Sequence, residues 1–391
     1  MLGSRIKQFR CARGLSQDML VERMGGIVSK QSISKYERSI AVPSLRVLNK
    51  IAKALDVKSA NLWSEPNINV EFIAYRKGSG LKSTEQEKIE AQIQETLEEC
   101  LKLSELTNCR NGIEIPVNAF PVRQLEDAEG AAESIRESWM LGLDPISSVT
   151  GMLEDKNVFV LEIEAPEKFD GISAFAKNTD DKKVVAAAVV SAKNRSGERQ
   201  RLNLLHELGH LVLNMPEDAN SKFEENAAFR FGAALLAPAK AIHDEVGSQR
   251  SSLSLAELLL LKERFGLSLQ ALVMRLNTLG VVSDSYKRNF FAFINKKGWK
   301  KAEPHALSPE KATWMERNVL KAWSENLISH KRAEQLLGVK LETEGDIPTK
   351  RRGFMALSLS ERNKALSVQA KKTLDYGIDQ DWLDMGEGYE S

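Results

Sequence analysis

Arg201-Leu-Asn-Leu-Leu-His-Glu-Leu-Gly-His-Leu-Val-Leu213 is a largely apolar stretch that places His206 and His210 four residues apart, with Glu207 between them. Side chains at i and i+4 lie on one face of a helix, so the two imidazoles can bind one metal ion. Glu207 can then reach a water at the open position of that metal. The stretch predicts a zinc helix for metal-assisted hydrolysis with Glu207 as general base. The alternative is a buried amphipathic helix with structural histidines.

A third metal ligand is expected from the helical segment that follows, residues 221–236. Glu224 and Glu225 both lie near its start, and either carboxylate, added to two histidines, leaves a fourth position for water. The three cysteines form no CxxC pair and leave an odd residue over. We therefore expect neither a thiolate zinc site nor a disulfide framework.

The composition is that of an ordinary globular protein. The chain has 391 residues, of which 42% are hydrophobic and 28% charged, enough for two or three domains with buried cores. Its longest apolar runs, such as residues 184–190, are far shorter than a membrane span. No signal-peptide core follows the first basic residues. We therefore expect a cytoplasmic protein with no membrane partner.

Charge is unevenly distributed along the chain. Residues 1–58 contain twelve Lys and Arg against four Asp and Glu, an excess of eight positive charges, whereas the whole chain carries +1. The remainder therefore carries −7. A basic N-terminal segment on an acidic body indicates a polyanion partner for that segment alone.

Residues 2–64 are predicted to form five short helices in a helix-turn-helix layout. Ser16, Ser29 and Ser44 are placed to cap the second, third and fourth helices, and Gly25-Gly26 breaks the chain before the third. Apolar residues at helical spacing in the fourth helix predict a face that packs on the others.

This segment resembles the XRE family of phage-repressor-like domains. The resemblance is carried by Leu15-Ser-Gln17, Ile33-Ser-Lys-Tyr-Glu-Arg38, Pro43 and Leu48-Asn-Lys-Ile-Ala-Lys-Ala-Leu-Asp-Val57. It implies that residues 1–65 bind double-stranded DNA with the third helix in the major groove. The residues it implies at the DNA are Lys30, Gln31, Ser32 and Lys35 at base edges and Gln17 at a phosphate. The turn before the third helix is two residues longer than the commonest form, and the alternative is a helical module that binds protein.

Residues 66–110 are predicted to form a connector. A strand-like run at 70–75 precedes a long helix at about 84–106, which begins with a capping box at Ser83. Its many acidic residues are expected to form a solvated face. Its apolar face, formed by Ile89, Ile93, Leu97 and Leu101, would either be the seam of a homodimer or pack on the next domain.

The body is predicted to combine a small sheet with helices. Strands at 158–163, 171–176 and 184–191 lead directly into the zinc helix, and an edge of this sheet is expected to accept an extended peptide. The predicted fold class is therefore α+β, mainly helical. Its parts are a metallopeptidase domain at 111–245, a C-terminal helical region at 246–345 and a tail of unknown role at 346–391.

Together these parts resemble the ImmA/IrrE family of zinc metallopeptidases, in the branch that fuses an XRE domain to the peptidase. The motifs that carry the resemblance are Gly197-Glu-Arg-Gln-Arg201, His206-Glu-Leu-Gly-His210, Glu225 with Ala228 and Phe231, Leu235-Leu-Ala-Pro238 and Phe169-Asp-Gly-Ile-Ser173. The resemblance implies a zincin-like fold and a gluzincin-like endopeptidase with Zn²⁺ on His206, His210 and Glu225. The family often has a polar residue where this chain has Phe229, and a methionine where it has Ala237.

Three hypotheses for function follow. The first is a DNA-binding transcription regulator whose zinc endopeptidase makes a limited cut in a repressor or antitoxin-like protein, in stress, phage or mobile-element regulation. The second is a non-proteolytic repressor or antitoxin in which the metallopeptidase fold is a sensor or oligomerisation body. The intact Glu207 argues against the second, because a vestigial site has no reason to keep a residue that binds no metal. The third is self-cleavage.

Overall fold

A computed structural model describes residues 2–64, 67–73, 81–109, 114–166, 168–193, 195–300, 302–341, 357–364 and 366–367. Helices predominate and a small sheet accompanies them, which confirms the predicted mainly helical α+β class. The chain divides into two units, Met1–Ile328 and Ser329–Ser391. The last residues of the predicted strand at 70–75, and most of the predicted tail, lie outside the described residues.

The N-terminal segment forms five helices, as predicted: α1 Leu2–Ala12, α2 Gln17–Arg23, α3 Lys30–Glu37, α4 Leu45–Ala54 and α5 Ser59–Trp63. Ser16, Ser29 and Ser44 accept hydrogen bonds from backbone N–H groups of α2, α3 and α4, so each predicted cap is present. The helices enclose a core of fully buried apolar side chains, which includes Ile6, Leu20, Ile33, Leu48, Ile51, Leu55 and Leu62.

The strands form a four-stranded sheet and a short parallel pair. Their bounds are β1 Ile68–Ile73, β2 Phe120–Pro121, β3 Val158–Ile163, β4 Gly171–Asn178, β5 Val184–Ala192 and β6 Leu213–Asn214. The larger sheet has the order β1-β4-β5-β3, in which only the β3 and β5 pair is parallel. Among the described strands, β4 and β5, which precede the predicted zinc helix in sequence, are interior, so β1 and β3 are the edges of this sheet. The pair of β2 and β6 was not predicted because two residues carry no periodic pattern.

The remaining helices follow the strands along the chain. Their bounds are α6 Ser83–Thr107, α7 Asp127–Ser138, α8 Val149–Asp155, α9 Gly197–Val212, α10 Ser221–Leu236, α11 Ala239–Val246, α12 Leu255–Phe265, α13 Leu269–Thr278, α14 Asp284–Lys297, α15 Trp314–Ser324 and α16 His330–Leu337. Helix α16 belongs to the second unit. No helix in the described part of the chain is both long and apolar enough to cross a membrane.

Helix α6 contacts α1, α15 and strand β1. Its apolar residues Ile89, Ile93 and Leu97 are at most 2% exposed within a single chain, so they pack on neighbouring elements and are not free to form a dimer seam. The prediction that its acidic residues form a solvated face is wrong for Glu98, which is buried against Arg5 of α1. Sequence patterning missed this because the charge that pairs with Glu98 lies 93 positions away.

Helix α9 lies in the largest hydrophobic core. All but two of its sixteen residues are buried, and Arg199 and Leu202 are the exceptions. It packs on α10 and against β4 and β5, and α12, α13 and α14 contribute apolar side chains to the same core. A helix buried on nearly all sides has no solvated face, so the polar groups it carries must be satisfied by specific neighbours.

Candidate functional site

Three potential metal ligands meet between α9 and α10. The Nε2 atoms of His206 and His210 lie 3.1 Å apart. Glu225 Oε2 lies 3.6 Å from the His206 Nε2, and Glu225 Oε1 lies 3.6 Å from the His210 Nε2. Among the described residues these three form a group whose ligand atoms all lie within 4.8 Å of one another. Both imidazoles are buried, whereas the Glu225 side chain is 23% exposed.

The choice between Glu224 and Glu225 depends on the rotational phase of α10. Asn220 caps this helix by accepting a hydrogen bond from the Phe223 backbone N–H at 2.9 Å, which sets where its first turn begins. Glu225 then faces the histidines, and Glu224 is not part of the ligand group.

Two glycines allow α9 and α10 to approach closely enough for Glu225 to reach the histidines. A Cβ at Gly209 of α9 would lie 3.2 Å from the Ala228 Cα. A Cβ at Gly232 of α10 would lie 3.1 Å from the His206 backbone nitrogen. Each contact is tighter than an ordinary van der Waals separation, so a larger residue at either position would require the neighbouring atoms to shift by a few tenths of an ångström.

The three side chains suit a divalent metal of the zinc type. Two imidazole nitrogens and one carboxylate are a known donor set for catalytic zinc. Bonds of about 2.1 Å at tetrahedral angles separate donor atoms by roughly 3.4 Å. The 3.1 Å between the imidazole nitrogens and the 3.6 Å from each nitrogen to its nearer Glu225 oxygen lie on either side of that value, so the residues present fit the metal.

Glu207 is 6% exposed and lies against the first residue of β4. A Cβ at Gly171 would come within 2.9 Å of the Glu207 Oε1 and within 2.9 Å of the Val190 carbonyl oxygen. The absence of a side chain at Gly171 therefore makes the space that the carboxylate occupies. Sequence reasoning noted Phe169-Asp-Gly-Ile-Ser173 as part of the family resemblance but assigned Gly171 no role.

The loop before Gly171 is held by the first half of α9 and by Arg195, two residues before that helix. Arg195 donates a hydrogen bond to the Phe169 carbonyl at 2.6 Å, and Arg199 forms an ion pair with Asp170. Asn203 donates to the Asp170 carbonyl at 3.4 Å. The helix that carries Glu207 thus also positions the glycine that makes room for it.

The first turn of α9 is clamped by residues 303–310. Buried Lys262 of α12 forms ion pairs with Glu198 and with Glu303, and the Glu198 carboxylate accepts a hydrogen bond from the Leu307 backbone N–H at 2.9 Å. Burial alone would raise the pKa of Glu198, but the Lys262 ammonium and the Leu307 N–H outweigh it and lower that pKa. Glu198 is therefore held ionised.

A second carboxylate from the same segment joins α9 to α8. Glu310 pairs with Arg201 and accepts hydrogen bonds from the Thr150 backbone N–H at 2.7 Å and from the Ser148 hydroxyl at 3.0 Å. Burial opposes its ionisation, yet these donors and the Arg201 charge lower the pKa of Glu310 below its ordinary value. A negative charge at the first turn of α8 also suits the helix dipole.

Phe229 covers one face of the first histidine. Its ring centroid lies 4.0 Å from that of His206, at an interplanar angle of 37°, and its side chain is 36% exposed. The structure thus places an aromatic ring between the histidine and the surface beside α10.

The residues predicted to contact DNA lie on or near α3. Lys30, Gln31 and Lys35 are exposed on this helix, as base reading requires, and Ser32 is half-buried at its first turn. The Lys30 ammonium pairs with Asp18 at 2.6 Å in the free protein.

Gln17, the predicted phosphate contact, is the first residue of α2 and contacts the last residue of α3. Its side-chain amide donates to Glu37 at 2.8 Å, and Glu37 is also paired with Arg10 of α1. The long turn before α3 contains two glycines, Gly25 and Gly26, in the left-handed region at φ of 77° and 70°.

Comparison with known protein families matches two segments of the chain. Residues 6–62 match the helix-turn-helix family, and residues 174–277 match a peptidase family described as the IrrE N-terminal-like domain. The chain joins a helix-turn-helix domain to an IrrE-like domain. The IrrE-like match contains α9 and α10 and therefore His206, Glu207, His210 and Glu225.

The N-terminal domain is also similar to curated transcription regulators. It is 39% identical over 66 residues to the HTH-type transcriptional regulator SinR of Bacillus licheniformis and, equally, to that of Bacillus subtilis strain 168. Each match covers 17% of this chain and 58% of the regulator. The similarity thus concerns the helix-turn-helix domain, and the IrrE-like domain lies outside it.

Proposed function

We propose that the chain is a DNA-binding transcription regulator whose IrrE-like domain is a zinc endopeptidase that makes a limited cut in a repressor- or antitoxin-like protein. The observation that carries the proposal is the group of His206, His210 and Glu225 ligand atoms within 4.8 Å, with the buried Glu207 next to the first of them. A structural zinc site needs a fourth protein ligand, whereas three ligands and a neighbouring carboxylate are the arrangement of a hydrolytic one.

Each side chain has a defined role in this proposal. His206, His210 and Glu225 hold the metal, which when bound would polarise a water molecule and a substrate carbonyl. The Glu207 carboxylate accepts the proton of the attacking water and delivers it to the leaving amine. Gly171 leaves Glu207 the room to do so, and the buried surroundings of α9 keep other water away from the carboxylate.

Zinc binding and cleavage can be tested separately with two variants. Glu225→Gln removes a ligand charge, and we expect zinc content measured by mass spectrometry to fall well below one equivalent. Glu207→Gln leaves all ligands in place, so we expect one equivalent of zinc and no cleavage. The substrates are proteins encoded next to this chain, incubated with and without chelator and examined for fragments. If the zinc-loaded wild type leaves every candidate intact, the non-proteolytic regulator becomes the better hypothesis.

DNA recognition by the N-terminal domain is tested by gel shift on the promoter of the chain's own gene. Binding should weaken steeply with salt, because Lys and Arg displace counterions from phosphates. Gln31→Ala and Lys35→Ala should each weaken binding to the operator more than binding to unrelated DNA. The charge-matched control is Lys53→Ala on the exposed side of α4, which should affect the two DNAs equally. Equal effects of all three variants on both DNAs would exclude α3 as the reading helix.

A further inference from the structure

A cavity of about 590 Å³ lies beside the metal ligands, between α10, α13 and α14. Its wall is largely apolar, with side chains contributed by Leu125, Leu202, Phe229, Ala233, Ala271, Met274 and Phe291. A volume of this size accommodates a large side chain together with part of its backbone.

The cavity adjoins the candidate metal centre, and the Phe229 ring lies between the two. Phe229, which forms part of its wall, packs on the His206 ring at 4.0 Å between centroids. Asn226 follows the ligand Glu225 directly, and Leu202 lies one helical turn before His206. Leu202 is also one of the two residues of α9 that are not buried, so the metal helix opens toward this cavity.

The charges in the wall are already neutralised. Arg230 donates to Glu126 at 2.8 Å and to Glu129 at 3.0 Å. Arg275 also pairs with Glu129 and donates to the Ala237 carbonyl at 2.9 Å. An acidic occupant would have to compete with these carboxylates, and a basic one would meet two arginines. The wall therefore favours a neutral, apolar occupant.

Polar groups are present where a peptide backbone would need them. Asn226 and Gln270 line the cavity, and their amides can both donate and accept hydrogen bonds. An apolar pocket with a few amide groups is suited to a side chain attached to a polypeptide rather than to a pure hydrocarbon.

We propose that this cavity binds a large apolar side chain, such as Leu, Met or Phe, of the polypeptide substrate close to the scissile bond. The proposal rests on the proposed peptidase function, because it makes the cavity the specificity pocket of that site. Phe229 then has two contacts, with the His206 ring on one side and with the bound side chain on the other. The Phe229 ring thus extends the apolar wall of the cavity up to the His206 ring.

The test measures binding rather than turnover. Zinc-loaded Glu207→Gln protein is mixed with a set of ten-residue peptides that differ at one central position, and the retained peptides are quantified by mass spectrometry. Peptides with Leu, Met or Phe at that position should be retained at least about tenfold over those with Gly, Ser or Asp, which is the discrimination an apolar pocket can supply.

Two substitutions, each added to the Glu207→Gln protein, test whether the preference for apolar side chains arises in this cavity. Ala271→Trp fills the cavity, and Met274→Glu places a charge in its wall at a side chain that is already 45% exposed and so tolerates change. Each should reduce the preference to less than about twofold. The control is Leu260→Trp on α12, which is 68% exposed and does not line the cavity.

The outcomes separate this proposal from the peptidase function. No apolar preference in the parent protein, or a preference that survives both cavity substitutions, would overturn the pocket assignment. If the preference is present and lost in both variants, but the zinc-loaded wild type cleaves none of the retained peptides, the cavity assignment stands and the peptidase function fails.

Discussion

Gly171 controls the position of the Glu207 carboxylate. In Gly171→Ala the new methyl group would lie 2.9 Å from Glu207 Oε1 and from the Val190 carbonyl oxygen, and the backbone of interior strand β5 cannot move to relieve the contact. The flexible Glu207 side chain must therefore shift. We expect kcat/KM for peptide cleavage to fall about a hundredfold, because small displacements of a catalytic group have effects of that order.

The zinc content of Gly171→Ala shows whether the fall in kcat/KM comes from the displaced Glu207 carboxylate or from loss of the metal. Gly171→Ala touches none of the three ligands, so the zinc content of the purified variant should remain at one equivalent. Gly130→Ala is the matched control because a Cβ at Gly130 of α7 has no neighbour within 4 Å. That variant should retain both zinc and activity. A wild-type turnover in Gly171→Ala would mean that Glu207 is not the general base.

The candidate metal site shows what residue patterns can and cannot predict. His206 and His210 were predicted because both lie on one helix, where spacing alone determines which side chains share a face. Helical spacing alone left both Glu224 and Glu225 open, and only the family resemblance favoured Glu225, because the answer depends on the cap at Asn220 and on how α10 packs. Gly171 lies far from Glu207 in sequence, and only the tertiary structure brings them together.

At the scale of elements, the metal site depends on the close approach of α9 and α10. In Gly232→Ala the Cβ would lie 3.1 Å from the His206 nitrogen and 3.2 Å from the Leu205 carbonyl carbon, both backbone atoms. The helices must separate, and overpacking of this kind costs about 1–3 kcal/mol. We expect a lower free energy of unfolding in urea and zinc binding weakened by about tenfold or more.

The same substitution is expected to change the free energy of unfolding in opposite directions at Gly130 and at Gly232. Alanine is intrinsically better than glycine in a helix by about 1 kcal/mol, so Gly130→Ala should stabilise the protein slightly. Gly232→Ala should destabilise it although the substitution is chemically identical. A stabilised Gly232→Ala with unchanged zinc affinity would show that the two helices do not need this contact.

The clamp on the first turn of α9 predicts a dependence of stability on pH. Glu198 and Glu310 both have a pKa below the ordinary carboxyl value of 4.5 in the folded chain. Their contribution to stability is therefore complete above that value and is lost as the pH falls through the lowered pKa. Glu310→Gln should cost about 1–3 kcal/mol at pH 7, and the difference from wild type should shrink below pH 4.5.

Urea unfolding at pH 7 and at pH 3 measures this difference. The control is Glu316→Gln, because the ion pair of Glu316 with Lys311 lies at the surface, where such pairs contribute little. That variant should differ from wild type by less than about 1 kcal/mol at either pH. A Glu310→Gln difference that is equally large at both pH values would contradict the role assigned to the ionised carboxylate.

For the whole molecule, the sequence predicted the individual helices and strands more reliably than the contacts between them. Serine caps and apolar periodicity identified the five N-terminal helices, because these signals are local. The connector was predicted as a strand and a helix with a solvated acidic face. In the structure, β1 pairs with β4 of the body and α6 packs on α1 of the N-terminal domain. Such pairings join residues far apart in the chain, so no periodic pattern in the sequence predicts them.

The buried ion pair between Arg5 and Glu98 therefore joins the DNA-binding domain to α6. Arg5 Nη1 lies 2.8 Å from both Glu98 oxygens, and both side chains are at most 6% exposed. Glu98→Ala leaves a buried charge without its partner, which costs about 3–5 kcal/mol. Replacing both residues, as in Arg5→Met with Glu98→Leu, should recover most of that loss.

Glu87→Ala is the control: it removes an exposed partner of Lys7 on the same two helices and should cost less than about 1 kcal/mol. Urea unfolding and amide exchange across residues 2–64 measure the effect, and equal losses in Glu98→Ala and Glu87→Ala would show that α6 does not hold the domain through this pair.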